Sequence, residues 1–199
     1  FNSFEAILKQ TKSIQKIVCS TDNKKIIKEC INLKIPYLKR KKKLSTDKAN
    51  INDVIYDLLL DKKFDEFHYI ILAQPTNPFI NKKILEKIIK KIKNNKFKSV
   101  QTIIETPHVY HPLNQRNLIK NKVVFAQRAK REIYYNKQKK TPSYSFGNLV
   151  IFDRKKFLEI KKVFCEPSGF IKIDKIYGLD IDFNDDLILA NLVAKTFKI

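Results

Sequence analysis

The sequence predicts an α/β fold, a three-layer, Rossmann-like domain around a mostly parallel sheet. Residues 69–73 are apolar without alternation, which is typical of a central strand covered by helices on both faces. Short apolar stretches alternate along the chain with segments whose apolar residues recur at helical spacing, which is the order of βα units. After residue 73 the central strand stops at a turn, Gln-Pro-Thr-Asn-Pro, whose two prolines cannot extend a strand.

The elements follow in βα order on both sides of this strand. A helix is predicted at residues 1–11 and a strand at 17–20, with cap-forming residues 20–23 before a second helix. A short strand at 35–38 and a helix at 52–60 form the next unit. Past the turn, Asn81 is predicted to cap a helix over 82–94, and a strand follows at 99–104.

The βα pattern breaks at Glu105. A loop containing His108 and His111, a hairpin at 118–126 and a basic, tyrosine-containing stretch at 128–140 predict a segment, 105–147, that protrudes from the core. The two histidines have no third ligand nearby, so no metal is expected there. A strand at 149–152, a helix at 154–161, a strand at 170–173 and a last helix from 187 complete the chain.

Composition favours one domain, residues 1–199, with 43% hydrophobic residues. No apolar run approaches the ~18 residues of a membrane span. No leader is visible, and the odd number of cysteines suits a cytoplasmic protein. The net charge is +21, yet no nucleic-acid-binding signature accompanies it, so we expect no nucleic acid partner. The same field would attract an anionic nucleotide or sugar acid.

Two positions carry candidate chemistry. Gln74 and Thr76 follow the central strand, where open α/β sheets bind ligands, although the turn could also be a plain strand-to-helix connection. Asp180 and Asp182 are two residues apart, so an extended chain presents both carboxylates on one side, with Leu179, Ile181 and Phe183 turned inward. Such a pair suits Mg²⁺. The alternative is helix capping, which we assign to Asn184, Asp185 and Asp186.

The turn at 74–78 resembles the Leu-Gln-Pro-Thr-Ser-Pro turn of the acylneuraminate cytidylyltransferases. Residues 178–187, Gly-Leu-Asp-Ile-Asp-Phe-Asn-Asp-Asp-Leu, resemble the family's Val-Asp-Ile-Asp-Thr-Glu-x-Asp-Leu, whose two aspartates hold the metal. The resemblance runs in unbroken order to residue 194. It implies transfer of CMP from CTP to a sialic-acid-like 2-keto sugar acid, Mg²⁺ as cofactor, and a homodimer formed through 105–147.

Two further segments extend the resemblance. Residues 36–50 resemble Pro-Phe-Leu-Arg-Pro leading to Thr-Asp-Thr-Ala-Ser-Ser, which implies that Lys39, Arg40, Ala49 and Asn50 contact the nucleotide. Residues 136–148 resemble Arg-Arg-Gln-x-Leu-Pro-x-x-Tyr-x-x-Asn-Gly, with Lys in place of Arg and Gly-Asn in place of Asn-Gly. That implies sugar contacts from Lys137 and Tyr144, together with Gln74 and Thr76, and leaves the identity of the sugar open.

The family's first strand and its Arg-x-Gly-Ser-Lys triphosphate loop have no counterpart after Phe1, so we expect a domain truncated at its N-terminus. No residue stands out as a general base. Two alternatives remain open from the residues: a non-catalytic fragment or basic RNA-binding protein, and a metal-dependent glycosyltransferase using Asp180-Ile181-Asp182 as its Asp-x-Asp site.

Overall fold

A computed structural model describes residues 11–94 and 96–197. The helix expected at residues 1–11 lies, except for its last residue, outside the described residues. Within the described ranges, no helix combines the length and the apolar character that a membrane crossing requires.

The described strands are β1 Cys19–Thr21, β2 Tyr37–Lys39, β3 Tyr69–Ala73, β4 Ser99–Glu105, β5 Arg116–Ile119, β6 Lys122–Phe125, β7 Tyr144–Asp153 and β8 Ser168–Lys172. The described helices are α1 Lys24–Asn32, α2 Ile51–Leu59, α3 Lys82–Asn94, α4 Arg128–Ile133, α5 Arg154–Ile160 and α6 Asn184–Phe197.

Short polar side chains start the helices where the sequence places them. The Asn23 side chain accepts hydrogen bonds from the amides of the first turn of α1, at 2.8 Å from Lys25 N. Asn81 does the same for α3, at 2.8 Å from Lys83 N. These contacts satisfy amides that have no partner inside the helix, and they confirm both predicted caps.

The main sheet has the strand order β3-β7-β4-β8. β4 and β8 are parallel, whereas β7 runs antiparallel to both of its neighbours, β3 and β4. The α/β prediction is confirmed, and β7 is the one reversed strand of this sheet. Its direction could not be deduced from sequence, because a run of buried apolar residues has the same pattern in either direction.

Helices cover both faces of the sheet. Five residues of α3, Ile84, Leu85, Ile88, Ile89 and Ile92, join one core with Val100 of β4 and Ile151 of β7. The opposite core contains Leu59 of α2, Phe157 of α5 and Phe152 of β7. A layer of helix on each side of a sheet is the predicted three-layer arrangement.

β1 and β2 form a separate parallel pair, yet they share both cores with the main sheet. Ile17, just before β1, packs in the core that contains Ile71 of β3. Val18 packs in the opposite core with Ile70. The two sheets therefore contribute to one layer. Among described strands β1 pairs only with β2 and β3 only with β7, so each keeps one edge unpaired, and β3 is half-buried where full burial was expected.

An insert, defined here as residues 106–143, separates β4 from β7. It contains the predicted hairpin, β5 and β6, which turns at Lys120 with φ 52°. Every residue of β5 is exposed. The ring of Phe125 is contacted by the guanidinium groups of Arg116 and Arg131, at 4.8 and 5.3 Å from its centroid.

Candidate functional site

The turn after β3 is closed by its own backbone, because the Asn77 amide donates to the Gln74 carbonyl at 3.0 Å. Gln74 is half-buried and Thr76 is exposed. Among described residues the Gln74 side chain has no hydrogen-bond partner and is available to a ligand at the carboxyl end of β3.

The segment carrying Asp180 lies directly against this turn. Ile181 N donates to the Thr76 carbonyl at 2.9 Å, and Asn77 Nδ2 donates to the Leu179 carbonyl at 3.2 Å. Two motifs about a hundred residues apart in the chain therefore meet at one edge of the sheet. Both Asp180 and Asp182 are exposed, and neither carboxylate has a hydrogen-bond or ion-pair partner within residues 11–94 and 96–197.

The two roles predicted for this acidic segment are partly separated by the structure. Asp186 Oδ2 accepts from the amides of Asp182 and Phe183, at 3.1 and 2.9 Å, so Asp186 caps α6 as predicted. No such bond from the side chain of Asn184 or Asp185 is present in the described part of the chain. The expectation for Phe183 is wrong: its side chain is 76% exposed, because α6 begins one residue later and turns it outward.

Beneath this junction lies a fully buried polar pair, Asn148 of β7 and Thr102 of β4. The Thr102 hydroxyl donates to Asn148 Oδ1 at 2.9 Å. Asn148 Nδ2 donates to the Tyr177 carbonyl at 2.8 Å and to the Phe79 carbonyl at 3.3 Å. Through these two hydrogen bonds Asn148 connects the residues that follow the turn to the residues that precede Asp180. The sequence signal for this role is a lone amide beside an apolar run, Asn148 before residues 149–152.

A second candidate site is a cleft of about 350 Å³ at the carboxyl ends of β1 and β2. Lys39, Arg40 and Lys41 line it together with Ser20 and with residues of α2. The Arg40 guanidinium donates to the Ser20 carbonyl at 2.8 Å, which fixes its position at the end of β1.

Ala49 and Asn50 do not line this cleft. The structure gives Asn50 a capping position instead, because its Oδ1 accepts from Asn52 N at 2.9 Å at the start of α2. Near the cleft, burial and the neighbouring Cys30 raise the pKa of the Cys19 thiol to about 11. That thiol is protonated at neutral pH and is no nucleophile.

Lys137 and Tyr144 lie near a third place, the end of β4. Tyr144 pairs with Glu105 in the sheet register, and Lys172 Nζ lies 5.3 Å from the Tyr144 ring centroid. The hydrogen bond from Lys172, at 2.6 Å, holds the pKa of Glu105 below its ordinary value, with a smaller contribution from the charge of Lys137. Ala73 pairs instead with Leu149, so Tyr144 is not beside Gln74 within one chain.

The two histidines of the insert have different surroundings. His111 is buried; its Nδ1 accepts from Leu113 N at 3.2 Å and its Nε2 lies 3.0 Å from the Thr141 carbonyl. His108 Nε2 lies 3.2 Å from Lys140 Nζ. Desolvation first, and then the charge of Lys140, lower the pKa of His108.

Comparison with known proteins identifies the family. The family model described as cytidylyltransferase matches residues 3–180. The chain belongs to the cytidylyltransferase family.

Curated relatives of this chain include N-acylneuraminate cytidylyltransferases of Streptococcus agalactiae, serotype III strain NEM316 and serotype Ia strain A909. Each is 24% identical over 176 residues, which is 86% of this chain and 41% of the relative. The chain therefore spans less than half the length of these relatives.

Solved structures share the cytidylyltransferase fold. CMP:2-keto-3-deoxy-manno-octonic acid synthetase complexed with CTP is similar with a TM-score of 0.68 and 10% identity, over 99% of this chain and 87% of that one. The 4-diphosphocytidyl-2C-methyl-D-erythritol synthase of Anaerococcus prevotii gives 0.66 and 16%, over 96% and 83%.

The acidic segment has the chemical character of a candidate Mg²⁺ site. In the described residues no group of three or more His, Cys, Asp or Glu side chains could hold a metal ion. Mg²⁺ is commonly held by one or two carboxylates with substrate phosphates completing its shell. The free, exposed oxygens of Asp180 and Asp182 fit that arrangement.

Proposed function

We propose that this chain is the nucleotidyl-transferring part of an enzyme that moves CMP from CTP to a sialic-acid-like 2-keto sugar acid, of acylneuraminate or legionaminate type, releasing pyrophosphate. The observation that carries the proposal is the junction of the Gln74 turn with the Asp180 segment through Thr76 and Asn77. It brings a candidate sugar contact and two free carboxylates to one edge of the sheet. Family membership and the names of the curated relatives support it.

Each group of residues has a proposed task. The cleft beside Lys39 and Arg40 takes the cytidine nucleotide. Ala49 and Asn50 lie outside the lining of the cleft, just before α2, and are assigned to the nucleotide only through the family resemblance. Gln74 and Thr76 contact the sugar acid. Because Tyr144 is not beside Gln74 within one chain, we assign Lys137 and Tyr144 to the same pocket across the interface of the proposed homodimer. Asp180 and Asp182 hold Mg²⁺. Family membership favours this assignment over RNA binding and over a glycosyltransferase.

The reaction needs positioning and charge neutralisation more than covalent help from the protein. The anomeric hydroxyl of the sugar attacks the α-phosphate of CTP, and pyrophosphate leaves. When bound, Mg²⁺ neutralises charge on the phosphate oxygens. Arg40 and the lysines near it add fixed positive charge, and the Gln74 side chain can orient the sugar. We assign no general base.

We also propose that the complete protein supplies a triphosphate-binding loop and a strand beside β1 and β3. One edge of each strand has no partner among the described strands, which supports this proposal, since residues next to both strands share both cores. A homodimer formed through the insert is part of the proposal, supported by exposed apolar side chains such as Leu118 and Val123, 80% and 63% exposed. Three free thiols suit a cytoplasmic location.

The test uses the full-length protein and the 199-residue chain with CTP, Mg²⁺ and N-acetylneuraminate, following CMP-sugar by chromatography and pyrophosphate by a coupled assay. We expect turnover by the full-length protein and little by the shorter chain. Asp182→Asn should raise the Mg²⁺ requirement, whereas Asp185→Asn, a matched change in the same acidic segment without a hydrogen bond to Asp182 in the described chain, should leave it unchanged. Equal effects of the two substitutions would remove the metal assignment. If no CMP-sugar is formed with any of the 2-keto sugar acids tested, the proposed reaction is wrong.

Gln74→Ala tests the sugar contact separately. The side chain lies beyond β3, so the variant should keep its unfolding midpoint while the KM for the sugar acid rises and that for CTP does not. A variant that unfolds, or one with changed CTP binding alone, would show that Gln74 has another role.

A further inference from the structure

Asn77 is buried to 1% exposure inside the turn that follows β3. Its amide closes the turn on Gln74, and its Nδ2 reaches across to the Leu179 carbonyl at 3.2 Å. One residue therefore belongs to the Gln74 turn through its backbone and to the Asp180 segment through its side chain.

Both backbone neighbours of Asp180 are held by this turn. The Leu179 carbonyl, before Asp180, accepts from Asn77 Nδ2, and the Ile181 amide, after Asp180, donates to the Thr76 carbonyl at 2.9 Å. Two hydrogen bonds on either side of a residue fix the direction of its Cα–Cβ bond. The Asp180 carboxylate is exposed, and the turn therefore sets where it points.

The Asn77 side chain does not maximise the stability of the fold. Its Oδ1 is buried and has no hydrogen-bond partner among the described residues. An unpaired buried amide oxygen destabilises a fold, and such a group in a native structure needs a functional or structural explanation. The side chain of serine is one bond shorter than that of asparagine, so a serine at this position would not keep the contact to Leu179.

We propose that Asn77 is a positioning residue that fixes the Asp180 carboxylate toward the Mg²⁺ of the nucleotide complex. This inference rests on the proposed function of Asp180. Asn77 itself touches neither the metal nor the substrate; it acts through the Leu179 carbonyl. Groups of this kind, behind the direct ligands, set ligand orientation and thereby metal affinity.

The first experiment needs no activity. Hydrogen exchange at the Ile181 amide is measured in the metal-free protein for the wild type, Asn77→Ser and Asn77→Ala. Loss of the Leu179 bond should loosen the segment and speed exchange at Ile181 by about tenfold, with β4 amides unchanged. Unchanged exchange at Ile181 would overturn the proposal even if the enzyme is a cytidylyltransferase.

The second experiment measures metal dependence in the full-length enzyme. Asn77→Ser should raise the Mg²⁺ concentration for half-maximal activity about tenfold, with the KM for the sugar acid unchanged. Asn81→Ser is the matched control: the same change removes the Asn81 contact to the Tyr177 hydroxyl, at 3.4 Å, without touching either neighbour of Asp180. A shift in both variants, or in neither, would contradict a positioning role.

Failure of the proposed function can be distinguished from failure of the role proposed for Asn77. If the wild type has no cytidylyltransferase activity, the proposed function fails while the exchange experiment still reports on the Asn77 contact. If Asn77→Ala does not fold, the decision rests on Asn77→Ser, whose side chain is smaller than that of asparagine and keeps a polar group in the turn.

Discussion

The main sheet and the insert both contain polar networks, and the two are built in opposite ways. In the sheet, Thr102 and Asn148 are fully buried, and Asn148 donates to carbonyls from two distant segments. In the insert, hydrogen-bonding contacts connect Lys140, His108 and Asn114. This network joins only segments of the insert itself. A polar group buried in the sheet decides where other segments lie, whereas an exposed one chiefly adjusts local charge.

The largest expected effect is that of Asn148→Ala. The substitution leaves the Phe79 and Tyr177 carbonyls without their donor in a closed interior, so the free energy of unfolding should fall by about 3 to 5 kcal/mol. Urea unfolding followed by circular dichroism measures it. Asn114→Ala in the insert is the control and should cost much less. If both variants lose a similar free energy of unfolding, burial does not determine how much each network contributes to stability.

Gly178→Ala should have the next largest effect. A Cβ there would lie 2.6 Å from Ile104 Cγ2, and relieving that overlap should cost about 1 to 3 kcal/mol of stability. A double-mutant cycle with Ile104→Ala checks the cause. In the Ile104→Ala background the glycine substitution should cost little, and an unchanged cost would exclude this clash as the reason.

A smaller effect is expected for Asp186→Ala at the start of α6. It removes the acceptor for the amides of Asp182 and Phe183, which is worth about 0.5 to 2 kcal/mol for a capping side chain. Thermal unfolding measures the loss. Asp185→Asn, in the same turn but without such a bond in the described chain, should change stability less; the reverse order would reassign the cap.

The smallest effect on stability is expected for Lys140→Ala in the insert. The quantity to measure there is the pKa of His108. Desolvation and Lys140 lower the pKa of His108 below its ordinary 6.5. The variant should raise that pKa part of the way back, as followed by NMR of the imidazole protons, with the urea midpoint at neutral pH unchanged.

The sign of the pH dependence follows from the same shift. Because the folded pKa of His108 is below the unfolded one, the unfolded chain binds more protons as the pH falls through 6.5. His108 therefore stabilises the fold above that pH, and this contribution is lost toward its folded pKa. Lys140→Ala should make this decline shallower; a steeper decline would contradict the assigned cause.

The α/β class, the order of the elements and the two motifs at Gln74 and Asp180 follow from the amino-acid sequence alone. Apolar periodicity, prolines and cap residues are local properties, and they placed α3 and the Asn23 and Asn81 caps correctly. The outward direction of Phe183 and the reversal of β7 were not predictable in this way, because neither follows from the pattern of neighbouring residues.

The assembly of the site, in contrast, depends on contacts that only the folded chain makes. The tertiary structure showed that the Asp180 segment is bound to the turn through Thr76 and Asn77, and that Asn148 holds both from below. It also showed that Tyr144 is not beside Gln74 within one chain and that Asn50 caps a helix. These facts depend on partners far away in the sequence, and the hydrogen-bonding capacity of an asparagine is the same whichever carbonyl the fold brings to it.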